Sequence, residues 1–439
     1  MFLISKLLYL LRTFFPNLGE FAVIGSCPTQ VMLFLGSGVS RPTWEAANNK
    51  SGTSIPDVNG ITDAVLSGSW KWNQLQQVFE QRAPDDPLCE VAERCQQFLQ
   101  RMCSRVSEYY MQQRGGSLNY EDLFYLIDQL RSTLINPAIQ AFTEQVRGSC
   151  SDLCQSSITF QRPTEFDDLC KQACDFIQCV VWDQLRRDDV PIGMGLISDI
   201  VKRRTIRRIT ICTLNHDTLV ETLLNGIDYE DGFTNLTSGG FFDAHRLRKT
   251  TKRIRLLKLH GSINWFRHQR REGEHYEDHY AAHKHGWRRP VTGNGFKWYE
   301  DSIPRILTGS YNKFEGYGTD IIKEYIHAFH AALDQHSLIV MSGYGWGDHA
   351  INQRLCEWLG RDRSRRIVLL HRDRPVSMLK ENPIIWHQYS RLIRLRKIVV
   401  FRRWLKEVTT WDEIVEFIEK ADRASPCRTP NPLDVFREG

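Results

Sequence analysis

The chain has 439 residues, with 57 Lys and Arg against 52 Asp and Glu, and a formal net charge of +5. Its hydrophobic content of 41% and charged content of 25% are ordinary for a folded protein and exclude a disordered or fibrous chain. No run reaches the roughly 18 consecutive apolar residues of a membrane-spanning helix, so we expect a cytoplasmic protein without membrane contact. Residues 1–15, which Lys6 and Arg12 interrupt, predict an N-terminal helix or extension within residues 1–29 rather than a signal peptide.

Five short apolar runs predict buried parallel strands, because their hydrophobic residues are continuous rather than alternating. In chain order they are residues 31–35, 209–213, 254–259, 337–342 and 366–371. Residues 397–401 are expected to add an edge strand. The sequence therefore predicts the α/β class, with a Rossmann-like, doubly wound parallel sheet.

The long segment between the first two strands has helical periodicity. The main helices are predicted at residues 72–113, 120–147 and 164–187, and Asn119 ahead of Glu121 and Asp122 is typical of an N-cap with an acidic first turn. We assign residues 72–190 as a helical insertion in a catalytic domain of residues 30–375. Residues 376–439 are assigned as a C-terminal helical appendage with a helix at 411–421, and residues 267–290 are expected to form an irregular surface insertion.

Glycine-rich turns follow two of the predicted strands. Gly36-Ser37-Gly38-Val39-Ser40 comes after the first strand, and Gly343-Tyr344-Gly345-Trp346-Gly347-Asp348 follows the strand that ends at residue 342. Glycines at such places let backbone amides approach a pyrophosphate, although Arg41 stands where the usual dinucleotide fingerprint has a third glycine. Asp348 is placed either to bind a ribose diol or to cap the next helix.

Polar side chains follow the other two strands of this group. Asn215 and Asp217 come after residues 209–213, and His260, with an imidazole that titrates near working pH, comes after residues 254–259. Ligands of open α/β sheets bind at the carboxyl ends of strands, so we expect these groups to face one ligand. Taken singly, helix capping by Asn215 or Asp217 and a structural role for His260 remain open.

Together these motifs resemble the sirtuin-like superfamily, and more closely its bacterial branch in antiviral defence, in which the domain is an NAD glycohydrolase. Residues 36–40 resemble the family's Gly-Ala-Gly-(Ile/Val)-Ser segment, and Asn215 with Asp217 resembles its Asn-x-Asp element. His260-Gly261-Ser262 resembles the histidine segment, and residues 343–352 resemble the branch's Gly-Tyr-Ser-Phe…Asp…Ile-Asn. Ser54-Ile55-Pro56-Asp57 resembles the Gly-Ile-Pro segment on the nicotinamide side.

The resemblance implies that NAD is a substrate whose nicotinamide–ribose bond is cleaved. It implies that Asn215 orients the ribose or the attacking water and that His260 is the general base. It implies that Asp217 supports the geometry of the site without direct contact with the substrate. The NAD contacts it implies are Gly36, Ser37, Gly38, Ser40, Pro56, Asp57, Ser262, Gly343, Tyr344, Asp348 and Asn352. Among these, Asp348 is expected on the adenosine side.

The chain departs from the protein-deacylating sirtuins, which carry a zinc module of paired Cys-x-x-Cys after the histidine segment. Between Cys212 and Cys356 there is no cysteine, so we expect no zinc and favour NAD hydrolysis over deacylation, which stays the alternative. That region holds His275, His279, His283 and His285 instead; on a helix the first three would share a face, which leaves a metal site open beside a plain surface insertion. The pairs Cys150/Cys154 and Cys170/Cys174 are interpreted as small buried hydrophobes, and a disulfide staple or a metal site stays the alternative.

An unrestrained NAD hydrolase would empty the NAD pool of its own cell, so we expect regulation. The resemblance implies either a homo-oligomer or a separate activator, such as a HerA-type ATPase or a short Argonaute. Basic residues at 246–255 and around Arg267 leave a second alternative, a non-catalytic module that binds nucleic acid or ADP-ribose. We interpret them as a solvated face and expect only weak or indirect contact with nucleic acid.

Overall fold

The structure is a computed structural model that describes residues 28–51, 56–67, 87–114, 118–131, 137–154, 166–186, 190–234, 240–272, 275–282, 296–298, 304–309, 313–372, 389 and 391–423. Its strands are β1 (Gln30–Leu35), β2 (Arg208–Thr213), β3 (Gly240–Phe241), β4 (Ile254–Lys258), β5 (Trp265–Glu272), β6 (His275–Ala282), β7 (Phe296–Trp298), β8 (Leu338–Ser342), β9 (Arg366–Leu370) and β10 (Ile398–Phe401). The helix predicted at residues 1–15 lies outside the described residues.

The α-helices among the described residues are α1 (Arg41–Ser51), α2 (Val58–Leu66), α3 (Pro87–Arg114), α4 (Tyr120–Arg131), α5 (Pro137–Ser149), α6 (Phe166–Leu185), α7 (Gly195–Lys202), α8 (Leu219–Leu223), α9 (Ala244–Lys249), α10 (Lys313–Gly316), α11 (Asp320–Gln335), α12 (His349–Arg361) and α13 (Trp411–Arg423). None of these helices is long and apolar enough to cross a membrane. Asn119 accepts hydrogen bonds from the amides of Glu121 and Asp122, which confirms the predicted N-cap.

Six strands form one parallel sheet in the order β10-β9-β8-β1-β2-β4. The chain starts at the centre with β1, adds β2 and β4 on one side, and then adds β8, β9 and β10 on the other. The predicted α/β fold with a doubly wound parallel sheet is therefore confirmed. All six predicted strands are present within two residues of their expected bounds, and the last forms an edge.

Helices cover both faces of this sheet, which explains why its strands are hydrophobic along their whole length. Met32 and Phe34 of β1 belong to a core with α11 and α12. Val31, Leu33 and Leu35 face the opposite way and share a core with α7, α8 and α13. Residues beyond 375 thus supply both an edge strand and a covering helix of the sheet.

The helices of the predicted insertion share a second core, formed mainly by α2, α3, α4 and α6, with residues outside 72–190, such as those of α2 and Phe266. The expected helix at residues 120–147 is in fact two helices, because Pro137 begins a new one and cannot continue the backbone hydrogen bonds of α4. Cys170 and Cys174 are buried in this core, and the four cysteines of the two pairs are free thiols. Residues 68–86, where the first predicted helix begins, lie outside the described residues.

A second, antiparallel sheet with the order β3-β6-β5-β7 was not predicted. The expectation of an irregular insertion at residues 267–290 is wrong for residues 267–272 and 275–282, because β5 and β6 pair over their whole length, and residues 283–290 lie outside the described residues. The helical arrangement of His275 and His279 is wrong as well, since both lie on β6. His283 and His285 lie outside the described residues. The strands were missed because their many His, Arg and Glu residues hide the apolar alternation that is typical of a strand.

Trp411, at the start of α13, provides a test of how far the C-terminal helix supports the sheet. Its side chain is fully buried against the core below β1, and its amide donates to Asp199 Oδ2 of α7 at 2.7 Å. Removing a buried tryptophan leaves a large cavity, so we expect Trp411→Ala to lower the free energy of unfolding by about 3–5 kcal/mol in urea titrations. Leu395→Ala, at a side chain that is 58% exposed, is the matched control and should change it little. Equal effects would mean that α13 does not stabilise the sheet.

Candidate functional site

The carboxyl ends of four neighbouring strands lie side by side. In the sheet register Leu35 pairs with Thr213 on one side and Ser342 on the other, and Thr213 pairs with Lys258. Each of the four sequence motifs begins within two residues of one of these positions. The parallel register therefore brings all four to one edge of the sheet, where ligands of open α/β sheets bind.

The turns after β1 and β8 touch each other through their glycines. A Cβ atom on Gly36 would lie 2.4 Å from the carbonyl oxygen of Gly343, and one on Gly38 would lie 2.9 Å from the Gly343 Cα. Gly343 itself has φ +67°, a conformation that favours glycine. At these three positions the absence of a side chain is thus required by contact between two loops of the protein.

In the first turn, the amides of Gly36, Gly38 and Ser40 are already used inside the protein. The amide of Gly36 donates to Ser342 O at 2.9 Å, that of Gly38 to Gly343 O at 3.1 Å, and that of Ser40 to Ser37 O at 3.1 Å. The exposed Ser37 and the exposed guanidinium of Arg41, which pairs with Glu45 at 2.9 Å, remain at this turn to meet an anion. Arg41 was not predicted as an anion contact, because it stands where the dinucleotide fingerprint has a glycine.

A cavity of about 590 Å³ opens above the strand ends. Its size falls in the usual range for small-molecule sites. The predicted site residues that line it are Gly36, Ser37, Gly38, Pro56, Asp57, Asn215, Asp217, His260, Gly343, Tyr344 and Asp348. Ser40, Ser262 and Asn352 are buried behind the wall, where each bonds to other protein groups.

Asn215 and Asp217 are held together by Ser40. The Ser40 hydroxyl donates to Asp217 Oδ2 at 2.6 Å and accepts from Asn215 Nδ2 at 3.0 Å. Asp217 Oδ1 accepts from the amide of Leu219, so this residue also helps to start α8. The side-chain oxygen of Asn215 is buried and has no hydrogen-bond partner among the described residues. A buried amide oxygen without a partner is costly, and a ligand hydroxyl would remove that cost.

A buried lysine fixes the backbone of the same loop. Lys258, at the end of β4, donates to the carbonyl oxygen of Asp217 and pairs with Glu221 of α8 at 2.7 Å. Only 2% of the lysine side chain is exposed, so the paired carboxylate is needed to offset the loss of hydration. The loop that carries Asn215 is thereby tied to β4, the strand that ends two residues before His260.

The backbone of His260 is clamped by the segment at residues 305–307. The carbonyl of His260 accepts from the amide of Leu307 at 2.8 Å, and Ser262 donates its amide to Arg305 O at 3.0 Å. Between them Gly261 has φ +79°, and a Cβ there would lie 2.1 Å from Arg305 O. The glycine after the histidine therefore allows the turn that presents the imidazole to the cavity.

The imidazole of His260 contacts a carboxylate and a phenol. His260 Nε2 lies 3.0 Å from Asp348 Oδ2 and 2.7 Å from the hydroxyl of Tyr317, and that hydroxyl also donates to Asp348 Oδ2. Asp348 Oδ1 accepts from the amide of Ile351 and caps α12. The carboxylate expected on the adenosine side thus lies against the proposed base, and Tyr317 was missed because no motif marks it.

Burial and charge together set the ionisation of this cluster. Burial lowers the pKa of His260, the positive charge of Lys313 lowers it further, and Asp348 opposes both. Burial works against ionisation of Asp348, yet the hydrogen bonds from His260 and Tyr317 hold the pKa of the carboxyl below its ordinary value. Burial and the neighbouring carboxylate raise the pKa of Tyr317. The cluster is therefore a neutral imidazole and a neutral phenol around a carboxylate.

His216, between Asn215 and Asp217, is a second imidazole in the cavity wall. Its ring centroid lies 6.2 Å from that of His260. Burial lowers its pKa well below the ordinary value, and the nearby His260 and Lys313 act in the same direction. The Nδ1 atom of His216 is buried and has no hydrogen-bond partner among the described residues. His216 lies inside the Asn-His-Asp segment, but no role was predicted for it.

The loop after β8 is fixed from below by Asn352. The Tyr344 hydroxyl donates to Asn352 Oδ1 at 2.8 Å, and the side-chain amide of Asn352 donates through Nδ2 to Trp346 O at 2.7 Å. Trp346 has φ +60°, an uncommon conformation for a side chain of this size. Asn352 thus supports the loop that ends in Asp348 rather than lining the cavity.

The helical layer supplies the opposite wall of the cavity. Asp57 caps α2 through the amide of Gly60, and Tyr110 donates to Asp122 at 2.8 Å. Glu121, at the start of α4, pairs with Lys313 at 3.1 Å. Asp57 was predicted at the site. Tyr110, Glu121 and Asp122 lie in segments whose helical character was predicted, but their place in the cavity was not.

The described residues contain no group of three or more His, Cys, Asp or Glu side chains that could hold a metal ion. His268 and His279 face each other across β5 and β6, and both rings pack on Phe241. His268 and His279 therefore contribute to packing of the second sheet.

The fold and the polar strand ends define a Rossmann-like α/β protein with a cavity at the carboxyl edge of its sheet. The family model of the SIR2-like domain matches residues 209–392, which supports a sirtuin-like superfamily. Members of this family are NAD-dependent enzymes, so the match indicates an NAD-related activity in general. The matched segment includes Asn215, His260 and Asp348 but not the turn after β1. No curated protein matches the chain.

Two glycines of the cavity wall differ in whether the structure has room for a side chain. Gly36→Ala would push a methyl group into the backbone of Gly343, so we expect it to destabilise the protein by about 1–3 kcal/mol or more. A methyl group on Gly345 would meet nothing within 4 Å, and this glycine does not have a positive φ. Gly345→Ala should therefore change stability by less than about 0.5 kcal/mol. Thermal unfolding of both variants measures the difference, and equal losses would contradict the loop contact.

Proposed function

We propose that this protein is an NAD glycohydrolase, which cleaves the nicotinamide–ribose bond to give nicotinamide and ADP-ribose. The observation that carries the proposal is that Asn215 and His260 line the same cavity, together with the turn at residues 36–38. The match to the SIR2-like domain supports NAD as the substrate.

The polar groups of the cavity suit the parts of this substrate. Arg41 and Ser37 are available for the pyrophosphate, because both are exposed and both line the cavity. The unpartnered oxygen of Asn215 is an acceptor for a ribose hydroxyl or for water. The cavity volume of about 590 Å³ suits a ligand of this class.

The proposed reaction needs no general acid, since nicotinamide leaves as a neutral molecule. The C–N bond breaks with its electron pair going to the nicotinamide nitrogen, and the ribose carbon develops oxocarbenium character. Water then forms the new C–O bond, and its proton passes to His260, directly or through a ribose hydroxyl. NAD and water thus give nicotinamide, ADP-ribose and one proton. Asn215 orients the reacting group, and Asp217 supports Asn215 through Ser40.

The proposal extends to the biological setting that the resemblance implies. We infer that NAD depletion serves antiviral defence, in which an infected cell stops supporting the virus. Such an enzyme must be restrained until it is needed, so we place its control in self-assembly or in a separate activator, a HerA-type ATPase or a short Argonaute. Protein deacylation is the competing activity, and it would make nicotinamide release depend on an acyl-lysine peptide.

His260→Ala and Asn215→Ala test the assigned roles. Loss of a general base or of a group that positions the substrate costs about 10²- to 10⁴-fold in rate, so each variant should release nicotinamide at least about 10²-fold more slowly than the parent. Purified protein is incubated with NAD, with and without an acetyl-lysine peptide and with and without extract of infected cells. His245→Ala and Asn225→Ala, at exposed positions, are the controls and should keep the parent rate.

The outcomes of this experiment are distinct. Nicotinamide release that ignores the peptide supports hydrolysis, whereas release that requires it supports a deacylase. Full activity in both His260→Ala and Asn215→Ala would contradict the assigned roles.

The pH dependence of NAD hydrolysis gives an independent test of the base. His260 must be neutral to accept a proton, and its pKa is lowered by burial and by Lys313, so the rate should fall only below about pH 6.5. Lys313→Met removes the positive charge and should move this acid limb to higher pH. Lys323→Met, at an exposed site on α11, should leave the limb in place. A limb that does not respond to Lys313→Met would argue that another group controls the rate.

A further inference from the structure

We propose that Asp348 and Tyr317 are positioning residues, which hold His260 with the proton on Nε2 and leave Nδ1 as the proton acceptor. The catalytic consequence rests on the proposed function, whereas the placement of the proton is a property of the cavity itself. The inference assigns Asp348 a different role from that of a ribose ligand.

The hydrogen-bond geometry fixes the placement of this proton. Tyr317 donates its hydroxyl to Asp348 Oδ2, so its own oxygen is left to accept. His260 Nε2 lies within hydrogen-bond distance of both oxygens, at 2.7 Å and 3.0 Å. A proton on Nε2 satisfies both contacts, whereas a lone pair on Nε2 would face a carboxylate and be repelled.

The second ring nitrogen is then the basic one. A neutral imidazole carries one proton, and with that proton on Nε2 the lone pair lies on Nδ1. Within the described part of the chain, the hydrogen bonds of the His260 ring all go to Nε2. His260 is among the residues that line the cavity, so Nδ1 is the ring nitrogen left to take a proton from water or a ribose hydroxyl.

Tyr317 keeps the carboxylate in place as well as supplying an acceptor. Its ring stacks against the imidazole with a centroid distance of 5.9 Å and an interplanar angle of 28°. Asp348 Oδ1 is fixed in turn by the amide of Ile351 at the start of α12. Both oxygens of the carboxylate are thus occupied, and it cannot turn away from His260. The other titratable groups that face the imidazole are Lys313, Glu121 and His216.

Asp348→Asn tests the carboxylate without removing the helix cap, because asparagine caps helices as well as aspartate does. An amide can face Nε2 with either its oxygen or its NH₂ group, so the tautomer is no longer fixed. Asp348→Ser keeps a capping oxygen but is too short to reach the imidazole. Asp243→Asn makes the same exchange at the cap of α9, which lies away from the cavity, and is the matched control.

Two measurements are made on the purified full chain. The ¹⁵N chemical shifts of labelled histidine, with His260 identified by its loss in His260→Gln, report which ring nitrogen carries the proton. The rate of NAD hydrolysis is followed over a range of pH. In the parent protein we expect the proton of His260 on Nε2 at neutral pH.

In Asp348→Asn and Asp348→Ser we expect a changed or mixed tautomer. We also expect NAD hydrolysis to be at least about 10²-fold slower than in the parent, as when a base loses its orienting carboxylate. The acid limb should also move to lower pH, because a carboxylate that raises the pKa of His260 has been removed. Tyr317→Phe keeps the ring and should lose less activity than Asp348→Asn. Asp243→Asn should behave as the parent.

A proton on Nδ1 in the parent protein would overturn the inference. So would an Asp348→Asn variant with unchanged tautomer, rate and acid limb, or a Tyr317→Phe variant that loses more activity than Asp348→Asn. If the parent shows the expected tautomer and Asp348→Asn changes it, but no variant and no parent protein hydrolyses NAD, the positioning of His260 stands and the proposed function fails.

Discussion

The contact between the turns after β1 and β8 is the constraint on which the site depends. Because Gly36 and Gly343 meet backbone to backbone, the loop after β8 passes directly over the end of β1. That path carries Tyr344, Trp346 and Asp348 across the edge of the sheet toward His260. A side chain at either glycine would separate the loops, and the carboxylate would no longer lie beside the imidazole.

A second set of contacts, made by buried charged side chains, holds the loop that carries Asn215. Asp217 receives the Ser40 hydroxyl, and Lys258 binds the Asp217 carbonyl while it pairs with Glu221. These groups are paired before any ligand arrives, so little reorganisation is needed when one binds. Among the described residues that line the cavity, the oxygen of Asn215 and Nδ1 of His216 are the exceptions, since both are buried without a hydrogen-bond partner. The unmet hydrogen-bonding capacity of the site is thus concentrated in one loop.

The sequence predicted the central sheet well because its strands are buried on both faces and read as continuous apolar runs. It also predicted that the four motifs lie at one edge of the sheet, since parallel strands place their carboxyl ends together. The hairpin of β5 and β6 escaped prediction because its pairing is set by partners and not by local apolar pattern. Contacts between distant residues escaped as well: Asp348 is 88 residues from His260, and Tyr317 is 57 residues from it. A motif can indicate that a carboxylate is present, but only the folded chain shows what it touches.

The cavity lies between two separately packed cores, the sheet on one side and the helical layer on the other. A ligand that contacts both walls binds more tightly when the two cores are correctly docked, so by thermodynamic linkage it must also strengthen their docking. The ion pair of Glu121 with Lys313 crosses this boundary and belongs to the same linkage. A protein that binds the outer surface of the helical layer more tightly when the two cores are docked would therefore raise ligand affinity without entering the cavity.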